Sequence, residues 1–183
     1  MAIKRTQYRD PVIQAIIDHL KQGANRDIKN WYHGDVLLIQ KRELPAVSVA
    51  IDNTIVTTDS TGDDKSTVPI VISVITDINA NQARDWDTMA GTTELYDIVA
   101  GRNKDFTDRK DSLIHLLREK VQLASMQSED GRGSVSVFLG IEDQPLQVEF
   151  GIGVERRGAG IFSVEAAIRT SAFIYTPKIE EVL

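Results

Sequence analysis

An α+β domain is the fold class this sequence predicts: a mainly antiparallel sheet with helices packed on one face and a projecting β-hairpin arm. Three observations lead there. Apolar residues recur at helical spacing near the start and again in the middle of the chain. They alternate with a period of two in residues 46–51, 68–77 and again from residue 134 onward. Helices and strands come in separate runs rather than in alternating units, which favours helices segregated to one side of an antiparallel sheet. With 183 residues and no internal repeat, low-complexity tract or linker, one domain across 1–183 is expected. Residues 1–9 form an N-terminal extension, 53–67 the arm and 178–183 a C-terminal tail.

The first element is DPVIQAIIDHLKQG, residues 10–23. Asp10 suits an N-cap, Pro11 the first helical position and Gly23 the stop. Val12, Ala15, Ile16 and Leu20 form the expected apolar stripe, flanked by Ile13 and Ile17. VLLI, residues 36–39, predicts a brief strand. LPAVSVAID follows, with Val47, Val49 and Ile51 on one side and Ser48 and Ala50 on the other. VPIVISVITD, residues 68–77, is apolar on both sides, so both should be covered. Between these strands NTIVTTDSTGDDKST, residues 53–67, is too long and polar for a tight hairpin loop and predicts the arm.

TTELYDIVAGR, residues 92–102, predicts a helix capped by Thr92 or Thr93 and stopped by Gly101, burying Leu95, Ile98 and Val99. Residues 107–124 carry the strongest helical stripe in the chain: Leu113, Leu116, Leu117, Val121 and Ala124. SEDGRG, 128–133, ends that region with turn chemistry. A meander closes the chain. SVSVFLGI, 134–141, alternates; so does the run placing Leu146, Val148, Phe150, Ile152 and Val154 on one face. After RRGAG turns the chain, Phe162, Val164, Ala166, Ile168, Ala172 and Ile174 should point inward.

That last strand would run about 13 residues, roughly 43 Å at ~3.3 Å per residue. A domain of this size has a radius of gyration near ~16 Å. Extended structure that overhangs its own domain exposes strand edges, and a neighbouring subunit is the economical partner for them. The alternative is a strand bent near Thr170 that wraps a monomeric core. Gly151 and Gly153 form a smooth strip where another backbone could approach.

Composition narrows the function classes. There is no cysteine, which excludes disulfides, thiolate nucleophiles and Cys-based zinc sites. With 27 acidic and 21 basic residues the net charge is −6, the opposite of a phosphate-gripping protein. The apolar runs are far shorter than the ~20 residues of a membrane span, and MAIKRTQYRD lacks the apolar core of a signal peptide. A soluble chain with no membrane role is expected. His19, His33 and His115 lie in different elements without ligand spacing. Asp59, Asp63 and Asp64 crowd one loop, but Lys65 sits among them and the order of a calcium loop is missing. GIGVERRGAG has no helix behind its glycines, so a dinucleotide site fails on context. Asp85 and Asp87 flank Trp86, the residue types of a glycosidase pair, though such a pair needs a pocket. Arg156 and Arg157 at the hairpin tip serve solubility, or touch an acidic partner or DNA passing nearby. No cofactor, metal or enzymatic activity is expected.

The order of elements resembles the tail terminator (tail completion) proteins of long-tailed bacteriophages. The resembling features are PVIQAIIDHLKQG, the pair ELPAVSVAI and VPIVISVITD around a polar arm, ELYDIVAGR, and the closing strand GIFSVEAAIRTSAFIYTP. The resemblance spans most of residues 10–177. The segments 108–124 and 134–141 would be additions relative to the smallest members. The resemblance implies a non-enzymatic ring, commonly a hexamer, located in the virion. The ring would cap the head-proximal end of the tail tube, stop its polymerisation and meet the head-side connector or stopper protein. A contractile tail would add a sheath contact, and DNA would pass through the lumen unread. Residues 54–67 and 155–160 match, in position, loops that members carry at ring interfaces. The expected interface residues are Asp59, Asp63, Asp64, Lys65, Arg156 and Arg157 in these two segments, Gly151 and Gly153 in the glycine strip, and Arg169 on the outer face of the last strand. Competing expectations are another neck or tail component, a ligand-binding or enzymatic domain around Asp85–Asp87, and a regulator that dimerises through its long strands.

Overall fold

The computed structural model describes residues 9–24, 27–36, 39–52, 57–59, 64–77, 90–118, 121–127, 134–140, 146–151, 154–156 and 161–176. Among them, nine strands form one mixed, mostly antiparallel sheet, and helices cover one of its faces. The α+β expectation is met.

Two long strands make the spine. β4 (Asp64–Asp77) and β9 (Ile161–Thr176) pair antiparallel in unbroken register from Asp64↔Thr176 to Asp77↔Ser163. Their sequences explain this: both alternate apolar residues on one face without glycine, and Pro69 is the single residue that cannot donate to the ladder. β9 continues through Thr170, opposite Ile70, with no break in register. At 16 residues it is longer than expected.

Shorter strands tile both outer edges of this spine. β1 (Asn30–His33) runs parallel to β2 (Ala46–Ile51), and β2 pairs antiparallel with β4 over Ile70–Ile75. β3 (Thr57–Asp59) pairs with β4 from Lys65 to Thr67. On the other side, β6 (Ser134–Leu139), β7 (Gln147–Phe150) and β8 (Val154–Arg156) lie end to end along β9. β5 (Val121–Gln127) completes the sheet by pairing with β6. The anticipated overhang of β9 is therefore filled by the chain's own short strands rather than by a neighbour. Two limits of the expected arm also change. Residues 64–67 belong to β4 and pair with β9, while Thr57–Asp59 form the other limb of the hairpin.

Register places Val47 and Val49, Ile70, Ile72 and Val74, and Val164, Ala166, Ile168 and Ala172 on one face. All are buried, and three helices supply the opposing layer. α1 (Pro11–Gly23) starts as expected: the Asp10 carboxylate accepts hydrogen bonds from the Val12 N–H at 2.9 Å and the Ile13 N–H at 3.2 Å. Such a cap stabilises a helix by ~1 kcal/mol. Its buried stripe is Ile13, Ile16, Ile17 and Leu20, so Val12 and Ala15 sit at the margin rather than at the centre. α2 (Ala90–Ala100) begins before Thr92 and Thr93, which are therefore inside the helix and not caps. It buries Leu95, Ile98 and Val99 as expected.

The segment 107–124 is the largest departure from the sequence reading. Among its described residues only Leu113–Arg118 are helical, as α3, and residues from Val121 belong to β5. Side chains explain the late start. Thr107 donates from its backbone N–H and hydroxyl to the Asp105 carboxylate, at 3.1 and 2.6 Å. Asp108 takes ion pairs from Arg102 and Arg118. Ser112 Oγ accepts from the His115 N–H at 3.4 Å. Local bonds of this kind offer the backbone an alternative to helix and leave Ser112 as the N-cap. Beyond Arg118, pairing with β6 outweighs the helical stripe of Val121 and Ala124, and a bulge between Gln122 and Ala124 adjusts the register.

The strand expected at 36–39 is absent from its described ends, Val36 and Ile39. Those residues cap the sheet instead. Ile39, Leu44, Ala46 and Ile75 form a small second core on the face away from the helices, with Tyr32 and Val36 against it. The far side of β4 is thus covered at its Ile75 end.

Candidate interface surface

Beyond that small second core, the sheet face opposite the helices is mixed and partly solvent-exposed. Arg169 stands on it, between Val71 of β4 and Gln147 of β7. Its Nη1 lies 2.8 Å from Glu149 Oε1 and its Nε 3.6 Å from Asp52 Oδ2. The hydrogen bond to Glu149, with the charges of Glu149 and Asp52, holds the guanidinium pKa above its ordinary value. β9 is bridged to β7 and to the residue that follows β2, but the group is open to water and adds little to stability. Its consequence is a cation and two carboxylates displayed together on this face of the sheet.

A second cluster lies toward the other end of the spine. Lys65, opposite Tyr175, places its ammonium 4.5 Å from the Phe173 ring centroid and 5.7 Å from that of Tyr175. Phe138 meets Tyr175 edge to face at 5.4 Å. Cation–π contacts of this kind are worth ~0.5–1 kcal/mol at exposed sites. Phe173 is buried here although strand alternation assigned it to the outer side. Six positions along β9 separate Tyr175 from Arg169, roughly 20 Å at ~3.3 Å per residue. Lys65 and Arg169 therefore share a face but not a site.

Of the other expected interface residues, Gly151 is exposed, and its N–H donates to Glu165 O at 2.7 Å. A Cβ there would lie 3.3 Å from that oxygen. The close backbone approach that its glycine suggested is thus made to β9 of the same chain. Asp59 pairs in register with Lys65, Asp64 with Thr176 and Arg156 with Ile161; for these three only the backbone is described. Asp63, Gly153 and Arg157 lie outside the described residues, as do Asp85, Trp86 and Asp87. Among the described residues no cluster of His, Asp and Glu is arranged to hold a metal ion, and no helix is long and apolar enough to cross a membrane. His33 Nε2 lies 3.1 Å from Asp10 O, tying β1 to the start of α1.

Three features escaped the sequence reading. Arg109 clamps α2 to the turn after it: Nη1 donates to both Asp97 carboxylate oxygens at 2.7 Å, and Nε and Nη2 donate to Asp111 at 3.0 and 2.7 Å. Phe106 is 88% exposed on the loop between these elements. Tyr96 of α2 stacks on Phe150 of β7, ring centroids 5.6 Å apart, and both rings are partly exposed. Only Phe106 had a signal, as an aromatic alone among charges in NKDFTDRK.

Glu94 carries a testable consequence. Its Oε2 is buried without a hydrogen-bond partner. Burial raises its pKa, Lys29 partly opposes that, and Asp27 and Asp77 add to it. A carboxyl that holds its proton more tightly when folded adds stability below its unfolded pKa; that contribution is lost as pH rises through the folded pKa. Glu94→Gln should therefore raise stability at pH 7 by up to about 1 kcal/mol, with the gain vanishing near pH 4. Thermal melts at the two pH values check this; equal gains at both would show that charge is not the cause.

No protein-family model matches this chain, and no curated protein matches it.

Proposed function

We propose that this chain is a structural virion protein of the tail-terminator class. It forms a ring, closes the head-proximal end of a phage tail tube and joins the tail to the head-side connector. The reading rests on the resemblance in element order and on one structural observation. The β4–β9 spine is a stiff plate of fourteen consecutive pairs, clad in helices on one face and displaying charges and aromatics on much of the other. A plate of this kind suits lateral packing against neighbouring copies and against the tube. In this role the protein is non-enzymatic and needs no cofactor. DNA passes through the ring without being gripped, consistent with a net charge of −6. The hairpin of β3 and β4 acts as an arm toward an adjoining virion component, the sheath in a contractile tail.

The test is to locate the chain in purified particles by labelled electron microscopy and to measure the mass of the isolated protein by light scattering. Label at the head–tail junction, with closed oligomers or assembly on tube ends, is expected. Label at the distal tip would instead assign it to another tail component. Absence from particles overturns the reading.

A further inference from the structure

Glu94 lies in the first half of α2, the helix laid across β4, β9 and α3. Its Oε2 is buried and takes part in no hydrogen bond. Register brings a cation to the same side of the sheet. The Lys29 N–H donates to Pro45 O at 2.9 Å, which carries the β1–β2 ladder one residue past Asn30↔Ala46. Trp31, two residues on, packs into the main core, so strand alternation sets Lys29 on the helix-facing side as well.

Three carboxylates gather at this end of the sheet. Asp77 is buried at the end of β4, with Lys41 Nζ 3.1 Å from its Oδ2. Asp27 is exposed, where water and salt screen it. Glu94 has only Lys29 to offset its charge, and that amine is exposed; Asp27 and Asp77 act against it. No charged group of β9 or α3 acts on it among the described residues. An ionised carboxylate in this position gains free energy by reaching water, which it can do if α2 lifts.

What α2 holds at its other end gives that charge a consequence. Asp97, three residues along the helix, is gripped at both oxygens by Arg109 Nη1 at 2.7 Å. Gly101 O accepts from the Arg109 N–H at 2.8 Å. The loop between is bonded to itself: the Asn103 N–H donates to Thr107 O at 2.8 Å, and the Phe106 N–H to Asn103 O at 3.0 Å. Phe106 stands there at φ +68°, a region aromatic residues rarely adopt. A turn so constrained depends on the helix that anchors it.

We infer that Glu94 is a proton-operated latch: protonated, it lets α2 seat on the sheet, and ionised, it loosens α2 and, through Asp97 and Arg109, the loop at residues 102–111. The latch is independent of the tail-terminator reading. Linkage sets its direction. Burial raises the Glu94 pKa, Lys29 opposes this, and Asp27 and Asp77 add to it. The seated form therefore binds the proton more tightly. Seating is strongest below the unfolded carboxyl pKa and weakens as pH rises through the folded one.

The experiment is amide hydrogen exchange of the full chain at pH 7 and pH 4, for wild type, Glu94→Gln, Lys29→Met and the double variant. Comparing variants at one pH cancels the intrinsic pH dependence of exchange. In wild type at pH 7, residues 90–100 and 102–111 should open more readily than the β4–β9 spine. Glu94→Gln should slow exchange in both segments about 3- to 5-fold at pH 7 and leave it unchanged at pH 4. Lys29→Met should quicken it about 2-fold at pH 7, but not in the Glu94→Gln background. Equal exchange of wild type and Glu94→Gln at pH 7 overturns the latch. So does an α2 that opens only together with the spine, since the helix then has no separate motion to control. Slowing confined to α2 overturns the link to the loop. An effect of Lys29→Met that persists in the Glu94→Gln background overturns the charge pairing and makes Lys29 merely structural.

Discussion

Ile168→Ala is expected to lower stability by about 2–5 kcal/mol, the range for removing a large aliphatic side chain from a closed core. Ile168 is fully buried at the centre of β9. Ile72 of β4 lies opposite it on one side and Val148 of β7 on the other. A cavity there cannot collapse easily, because both neighbouring backbones are held in continuous ladders. Domains have total stabilities near ~5–15 kcal/mol, so this variant should approach the limit of folding at 37 °C. Urea unfolding checks it, with the slope of the transition held constant as the sign that only the folded state has changed. Arg169→Ala, one residue along and on the opposite face, should shift the midpoint little, since its ion pairs with Glu149 and Asp52 are solvated. If the two substitutions cost the same, the two faces of β9 are not differently buried and the plate has been misjudged.

Such asymmetry was legible in the sequence wherever a period persisted long enough to exclude its rival. β2, β4 and β9 alternate over six residues or more, and the existence of these strands and their inner face follow from that; the full lengths of β4 and β9 and their pairing do not. α1 was legible because Asp10 and Pro11 mark its start chemically. β1 was not legible. NWYH is four residues long and forms a parallel ladder with β2, so only tertiary pairing makes it a strand. The segment 107–124 misled for a different reason. Leu113, Leu116, Leu117, Val121 and Ala124 satisfy a helical stripe, but the competing side-chain bonds of Asp105, Asp108 and Ser112 depend on partners the stripe does not reveal.

The surface was less legible than the core. Arg169 was picked out as a possible contact, and it does stand on the open face. Lys65 was chosen from a charge-rich loop, yet its position over Phe173 and Tyr175 arises from β4 extending further than expected. Phe106 and the Tyr96–Phe150 pair are defined by backbone strain and by two elements distant in sequence. Neither leaves a period to read.

Gly101→Ala should be the other costly change, about 1–3 kcal/mol, as expected when a methyl is forced into a filled site. An added Cβ would lie 2.4 Å from the Asp97 backbone oxygen and 3.2 Å from Arg109 Cδ. The first is main chain that also accepts the Gly101 N–H at 3.1 Å, so it cannot swing aside. Gly23→Ala provides the contrast. Its Cβ would come 2.5 Å from Leu116 Cδ2, but that is the end of a flexible side chain, and alanine favours the helix by up to about 1 kcal/mol. Its net effect should stay within about 1 kcal/mol of wild type. Gly101→Ala should do more than destabilise. Gly101 O accepts from the Arg109 N–H at 2.8 Å, at the base of the loop that presents Phe106. Moving that base loosens the turn, so amide hydrogen exchange in the loop should quicken even at temperatures where the variant is fully folded. Chemical denaturation and amide hydrogen exchange on one preparation separate the two effects. If Gly101→Ala proves as stable as wild type, the Asp97–Arg109 clamp yields readily and the loop is not held as rigidly as its hydrogen bonds imply.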